Sequence, residues 1–516
     1  RGAWSHRHYD KLLLAIKAFG WPLTTDVNYW ADKHLKHDYG PGWLRHTASH
    51  NLVVADARNQ EIATGIMHGY CDLPQLQTVD ASCEDAYPGL SLYRRTFALL
   101  PIGPEKAYLV DIFRVRGGEK THDYLFHSLS GEKGENFFIQ FADSAVELVR
   151  QEGGSLAGAD VPYASQPGYS FIRDIEHAPL DGSFQATWRV GDAEETALRL
   201  WMPAMKGRQV FIGNAEGYGI FGRSPFDRYL CVREKAVDDK MSTFAAVIEP
   251  YQGKSFIDSV EVMEVLSGQE ADPVCLRVRA GKHTDYVFQA LDPTVPFEAR
   301  IDDENFSFQG AWARISVSAD GKITSTYSEA GILKWEGHVA IEAISEVTGA
   351  VEQVDFSRNT VTVRPSGEVP PVETLKGKLI LVANPAVSLA VPTAYIVGDV
   401  KRLPDGRLDL ELVDPPTLLM SRGRVTGVNA EKKAITVKSG QIAICKRMLE
   451  GKRARKDRST ESKDYLITAC TAGEDMQITF EDEIAAQVFN PGDEINFYDL
   501  GVGDRIRIIC GGESIQ

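Results

Sequence analysis

Imidazole and carboxylate side chains gather at the start of this chain. It opens Trp4-Ser5-His6-Arg7-His8-Tyr9-Asp10-Lys11-Leu12. Gly20-Trp21-Pro22-Leu23-Thr24-Thr25-Asp26 follows, and later Thr47-Ala48-Ser49-His50-Asn51-Leu52-Val53-Val54-Ala55-Asp56. Neutral imidazole nitrogens and carboxylate oxygens are ordinary zinc ligands, and three protein ligands leave a position for water. The segments read as separate short strands. If His6 and His8 share a strand, period-2 alternation puts both on one face. His-x-His alone is a common pair, and without metal such residues form a hydrogen-bonded structural cluster.

Other polar groups lie close by. Tyr39, in His37-Asp38-Tyr39-Gly40-Pro41-Gly42, sits in a turn-rich loop before His50. It can donate a proton, offer a platform to a sugar, or simply pack the loop. Arg7, Arg45 and His46 suit a substrate carboxylate, and for Arg45 and His46 a surface role is equally open. Arg94 and Arg95 alternate across a strand, so at most one faces any cleft. His68, His177, His283 and His338 are isolated and read as ordinary structural residues.

Positioning these groups falls to β-structure. Runs rich in Val, Ile, Phe, Tyr and Thr recur between Gly, Pro, Asn and Asp: His50–Asp56, Thr96–Leu100, Ala107–Val115, Phe137–Phe141, Gln209–Ile212, Thr243–Ile248 and Ala311–Val317. Helical periodicity is confined to Ser144–Gln151 and Glu481–Val488, about two turns each. The expected class is all-β, built of stacked antiparallel sheets. Leu379–Val397 is apolar but broken by Asn384, Pro385, Ser388 and Pro392, so it reads as two buried strands around a turn and no membrane span is expected.

The pattern changes near residue 340. Val351, Val354, Val361 and Val363 repeat in spacing as Val425, Val428, Ile435 and Val437. Each set brackets a polar turn, which predicts two similar hairpins. The division expected is a β-sandwich domain over 1–340 and a smaller C-terminal β-rich domain over 341–516. Within the latter, Lys446–Lys463 holds eight Lys/Arg. It reads as a solvated insertion, with a polyanion-binding patch as the functional alternative.

Composition sets the outer bounds. The 516 residues hold 56 Lys+Arg and 72 Asp+Glu, a net −16, which argues against a general nucleic-acid binder. The length suits two to four domains. Yet residues 1–60 carry eight Lys/Arg and five Asp, a net +3, and seven of the 12 histidines fall in the first 68 residues. Seven scattered cysteines without a CxxC make a zinc ribbon or dense disulfide framework unexpected. A Cys71–Cys83 bridge is an option beside buried free thiols. The chain starts at Arg1 rather than Met, with no signal peptide in view, and is read as a piece of a longer one.

In combination the motifs resemble the heparinase II/III family of polysaccharide lyases. The resemblance rests on His6-x-His8-x-Asp10, Gly20-x-Pro22-Leu23-x-x-Asp26, Ala48-x-His50-Asn51 and Val53-Val54-x-Asp56. Tyr93-Arg94-Arg95-Thr96, Tyr108–Val115, Gly117-Gly118 and His122–Ser128 add to it. It covers residues 1–130 well, is architectural to about 340 and is thin beyond. It implies a large antiparallel β-sandwich, or supersandwich, following a helical (α/α) toroid absent from this chain. It also implies a mainly structural zinc ion on His8, Asp26 and His50, and a cleft-facing His6 in a catalytic or substrate-contact role; Tyr39, from its place in the loop alone, is a second catalytic candidate. His122 and His127 are expected to be structural.

The implied reaction is β-elimination on a uronic acid-containing polysaccharide. A base takes the proton at C5, beside the carboxylate, and the bond from C4 to the bridging oxygen breaks. The carboxylate charge must be neutralised before that proton becomes acidic, so a neutralising group, a base and an acid are all required. In the family, a Tyr and an Asn or His on the toroid supply much of this. The resemblance also implies a periplasmic or secreted enzyme with an acidic polysaccharide substrate. The alternatives are a non-catalytic carbohydrate-binding or structural β-protein, and a zinc-dependent glycan hydrolase.

Overall fold

A computed structural model describes residues 8–24, 43, 45–130, 136–158, 167–190, 195–216, 226–237, 239–387, 392–439, 448–456, 463–471, 475–483 and 485–515. The chain is nearly all β, as its alternating patterns require, and its sheets are antiparallel throughout. Six of the seven strand runs named above lie within strands, and the seventh, His50–Asp56, holds the short strand Val53–Ala55. Ser144–Gln151 is not helical; it contains the short strand Val149–Arg150. Among the described residues the one α-helix is Ala485–Val488. None of the described helices is long and apolar enough to cross a membrane.

Three sheets stack over residues 53–342, the third completed by the strand Gly511–Ile515. A six-stranded sheet runs, edge to edge, Val149–Arg150, Arg173–Leu180, Arg208–Glu216, Phe226–Lys235, Thr121–Ser128 and Val53–Ala55. It faces an eight-stranded sheet centred on Leu90–Pro101, Ala107–Gly117 and Met241–Gln252, across a core that includes Tyr93, Phe113, Phe126, Trp188 and Phe244. The other face of the second sheet, through Leu100, Tyr108, Val110 and Ile112, packs on Leu276, Val278, Val287 and Trp312 of a nine-stranded third sheet. Ala107–Gly117 is buried on both faces, which is why it reads as a nearly unbroken apolar run.

Buried Arg–carboxylate–Tyr groups tie these layers together. Tyr108 of the second sheet donates to Asp285 of the third at 2.7 Å, and Arg314 grips the same carboxylate at 3.0 and 2.9 Å. Burial pushes the Asp285 carboxyl up, but Arg314 and His283 outweigh it and hold it at about 2.

Residues 346–509 form two closed six-stranded barrels of the same topology. Numbering each barrel's strands in chain order, both run 1-2-5-4-3-6 around the wall. The first uses Glu346–Asp355, Thr360–Pro365, Leu379–Ala383, Thr393–Arg402, Leu408–Asp414 and Arg505–Ile509. The second uses Leu419–Asn429, Ala434–Ser439, Arg453–Arg455, Tyr465–Cys470, Asp475–Phe480 and Glu494–Tyr498. It is therefore inserted between the fifth and sixth strands of the first.

The sequence repeat maps onto this duplication. Val351 pairs with Val363 and Val354 with Val361, across a bulge after Val351. Val425 pairs with Val437 and Val428 with Ile435, across a bulge after Val425. Gly349 and Gly423 hold the same position, where a Cβ would come within 2.4 Å of Arg364 O and Val437 Cγ1 respectively. Leu379–Ala383 and Thr393–Arg402 pair antiparallel, as the broken apolar stretch suggests.

Of the basic run, residues 448–456 and 463 are described: Lys456 and Lys463 are exposed, as a solvated insertion requires, and three other cations are not. Lys452, Arg453 and Arg455 are buried where the barrels meet. Arg453 binds Asp504 at 2.6 Å, Asn384 donates to the same carboxylate at 2.7 Å, and the Arg455 guanidinium lies 4.7 Å from the Phe356 ring centroid. At these three positions the long cationic side chains cover apolar surface or meet carboxylates, so these three are not solvated as their charge suggests. The six described cysteines are buried, and no disulfide joins any two of them, Cys71 and Cys83 included.

Candidate functional site

The candidate corner forms where the N-terminal segment crosses the edge of the six-stranded sheet. Thr47–Ser49 makes one 3-10 turn, with His46 before it and His50 after it. His46 N donates to Trp43 O at 3.0 Å, and His50 N to Thr47 O at 3.2 Å. Asn51 then extends the sheet through its side chain: Nδ2 donates to His127 O at 3.1 Å and Oδ1 accepts from His127 N at 2.8 Å.

The opening segment lies against this turn. Tyr9 N donates to Arg45 O and Leu14 N to Asn51 O, both at 3.1 Å. Arg95 locks the crossing from beneath. Its Nη1 donates to Leu12 O at 2.7 Å and to Asn51 O at 2.6 Å, while Nε and Nη2 clamp Asp111 at 2.7 and 2.6 Å. Tyr124 supports Asp111 at 2.8 Å. Of the two adjacent arginines, Arg95 is thus the one turned inward; Arg94 pairs with Asp80.

This bracing brings His8 and His50 together, with ring centroids 5.4 Å apart and planes tilted by 34°. They lie 42 positions apart in the sequence. Neither sits on a strand: His8 is in an irregular segment and His50 follows the 3-10 turn. Convergence here comes from a turn and a crossing, not from alternation along one strand. Two imidazoles on one tetrahedral zinc ion, with Zn–N about 2.0 Å, bring their centroids to about 5 Å. The 5.4 Å separation is of that order. Among the described residues, no three His, Cys, Asp or Glu side chains gather into a metal-binding group. His6, Arg7, Asp26 and Tyr39 lie outside the described residues.

His46 is buried and shares a 2.9 Å hydrogen bond with Asn59 Nδ2. Burial lowers its pKa more than Asn59 raises it, which favours the uncharged ring. Its packing against Phe171, at 5.8 Å, and the close approach of Gly168 give it a supporting position in the turn. Arg45 is half-buried, with its carbonyl tied to Tyr9.

Several residues of this corner escape a sequence-only reading. Tyr229 stacks on His127 at 4.2 Å, meets Trp43 edge-on at 5.6 Å and donates to Ser49 O at 3.3 Å. Tyr169 donates to Asp123, which Arg233 clamps at 2.8 and 2.7 Å. Asp227 lies two positions before Tyr229 and is fully buried; its carboxylate accepts no hydrogen bond from the described residues. Burial raises its pKa to about 7. The available signal is the period-2 row Asp227, Tyr229, Cys231, Arg233, which puts all four on one face of the strand.

No family profile matches this chain, and no curated protein sequence matches it. Solved structures do. A heparan sulfate lyase HepC from Pedobacter heparinus aligns with a TM-score of 0.34 and 13% identity, covering 55% of this chain and 37% of that one. A heparinase III gene product aligns with a TM-score of 0.36 and 14% identity, covering 56% of this chain and 38% of that one. The relationship is distant and partial. This chain spans less than two-fifths of the length of either protein.

Proposed function

We propose that this chain is the β-sandwich part of a polysaccharide lyase that cleaves a uronic acid-containing polymer by β-elimination. The observation that carries the reading is the convergence of His8 and His50, each from its own motif, on a corner braced by Arg95 and Asp111. In this reading His8 and His50 hold a zinc ion with Asp26 as the third ligand. Bound there, zinc supplies fixed positive charge and a rigid cleft wall.

The chain's own residues then have separate tasks. Arg7 and Arg45 face the uronate carboxylate and offset its charge, which makes the C5 proton removable. The buried His46 positions the turn that carries Arg45. His6 exchanges protons with substrate near neutral pH, and Tyr39 is a second donor at the cleft. The C5 proton passes to the base, the C4–O bond breaks, and the bridging oxygen leaves with a proton, giving a C4–C5 double bond. The remaining catalytic Tyr and Asn or His belong to a toroid preceding Arg1, and the protein works in the periplasm or outside the cell.

The test is ultraviolet absorbance of the new double bond during incubation with uronate polymers. The longer enzyme is expected to produce it and the 516-residue chain to be nearly inactive. Reducing ends without that absorbance would mean hydrolysis, and neither product would mean a binding protein. Zinc content of wild type, His8→Ala and Asp26→Ala tests the ligand set; equal zinc in all three removes it.

A further inference from the structure

A second pocket, of about 490 Å³, opens beside the tip of the N-terminal hairpin. Lys17–Ala18 and Trp21–Pro22 pair across a two-residue turn, Phe19-Gly20. Both turn residues have positive φ, +53° and +78°. Such turns favour Asn, Asp or Gly because a Cβ is strained there. Phe19 is a poor occupant on those grounds, and burial does not compensate, since it is 42% exposed. A strained, exposed aromatic points to a function for its ring.

The pocket gives that ring its company. The half-buried Phe256 lines it with Phe19, together with Lys106, Lys254 and a single acidic residue, Glu105; Tyr251 also borders it but is buried. Lys106 Nζ lies 5.7 Å from the Phe256 ring centroid. Neither lysine has a carboxylate partner among the described residues. The loop carrying Phe256 is fixed in advance. The fully buried Glu249 accepts from Ile257 N at 3.0 Å and from Arg199 Nε at 2.8 Å, and Arg199 Nη2 donates to Ile257 O at 2.6 Å. Aromatic walls with a few placed polar groups on a rigid support describe a ligand pocket.

We propose that this pocket binds an anionic saccharide. The exposed ring surface of Phe19 and Phe256 takes the apolar C–H face of a sugar ring, and the two lysines take a carboxylate or sulfate. The inference rests on the proposed lyase function for its substrate class, and it adds a binding subsite outside the histidine corner.

The test is calorimetric titration of the full chain with a uronate tetrasaccharide and with a neutral tetrasaccharide of equal length. Wild type should bind the uronate at least tenfold more tightly, with affinity falling as salt rises. Phe19→Asn suits the turn, so it should raise the melting temperature slightly while weakening binding at least fivefold. Lys106→Gln/Lys254→Gln should weaken binding at least tenfold and abolish the salt dependence. Equal affinity for both oligosaccharides, unchanged binding in the variants, or a lower melting temperature for Phe19→Asn would each overturn the proposal. Failure of the lyase reading looks different. There the uronate binds, the variants lose it, and no unsaturated product forms in the longer enzyme.

Discussion

The two barrels share strand order, bulge position and a glycine at the same close crossing, yet they are held in the molecule in different ways. The first packs outward through Leu379, Leu381 and Ile509 onto Met67 and Tyr70 of the eight-stranded sheet. Arg507 in its last strand also binds Glu329 of the third sheet and its own Glu346. The second is reached only from within the first, and Arg453 and Asp504 join them. Their outer faces have diverged accordingly. Where the second presents Arg422, Arg424 and Lys438, the matching positions of the first are Thr348, Ala350 and Arg364. One architecture thus serves once as a packed part of the body and once as a projection from it.

Three measurements break or sharpen that contrast. The largest effect should come from the joint. Asp504→Ala leaves Arg453 charged and buried without its partner, which should cost about 3–5 kcal/mol. Urea unfolding would show it, and a loss under 1 kcal/mol would mean the barrels do not depend on that pair. Next are the matched core residues Ile506 and Ile495, each buried in the sixth strand of its barrel. Either change to Ala should cost about 2–4 kcal/mol. Ile506→Ala should also raise hydrogen exchange in the strand Ile66–Leu73, and Ile495→Ala should not. Equal spread from both would erase the distinction between body and projection.

The smallest effect uses the barrels as an internal reference for the sheets. Asp227 has a folded pKa raised to about 7. Its proton is held more tightly in the folded state, so its stabilising contribution is full below the unfolded pKa of about 3.9 and is lost as pH rises to about 7. Asp227→Asn removes that loss. Its stability relative to wild type should grow by about 2.5 kcal/mol from pH 5 to pH 8. Exchange in the strands around Asp227 should change with it, and exchange in the barrels should not. A pH-independent difference would show that the carboxyl is not neutral at pH 5.

Much of this architecture was legible because β-structure writes its faces into local alternation. The strands around Phe113 and Trp312 could be placed from their own residues, and the valine spacing shared by 351–363 and 425–437 foretold matching hairpins. What stayed hidden is non-local. Nothing near Asp414 indicates that its barrel closes with residues 505–509. Within the basic run, the burial of Arg453 was missed because charge density alone does not reveal a buried carboxylate some fifty positions away. The histidine corner was half legible. The residue types at His8 and His50 pointed to it, but their meeting depends on Arg95 and on a turn, not on strand alternation. For Asp227 the period-2 row marks its face of the strand, but its character comes from the absence of a hydrogen-bond partner among the described residues, which no local pattern shows.

The nested order also has a consequence in time. The first barrel's fifth strand ends at Asp414 and its sixth begins at Arg505, roughly ninety residues later. At about 5–20 residues per second, a ribosome needs about 5–20 s to supply the closing strand. During that interval the walls formed by Glu346–Asp355 and Leu379–Ala383 wait with open edges, which are templates for pairing with another chain. The third sheet waits as well, because Gly511–Ile515 pairs with Ile323–Trp335. Nascent chains stalled in this window should be the species most in need of a chaperone.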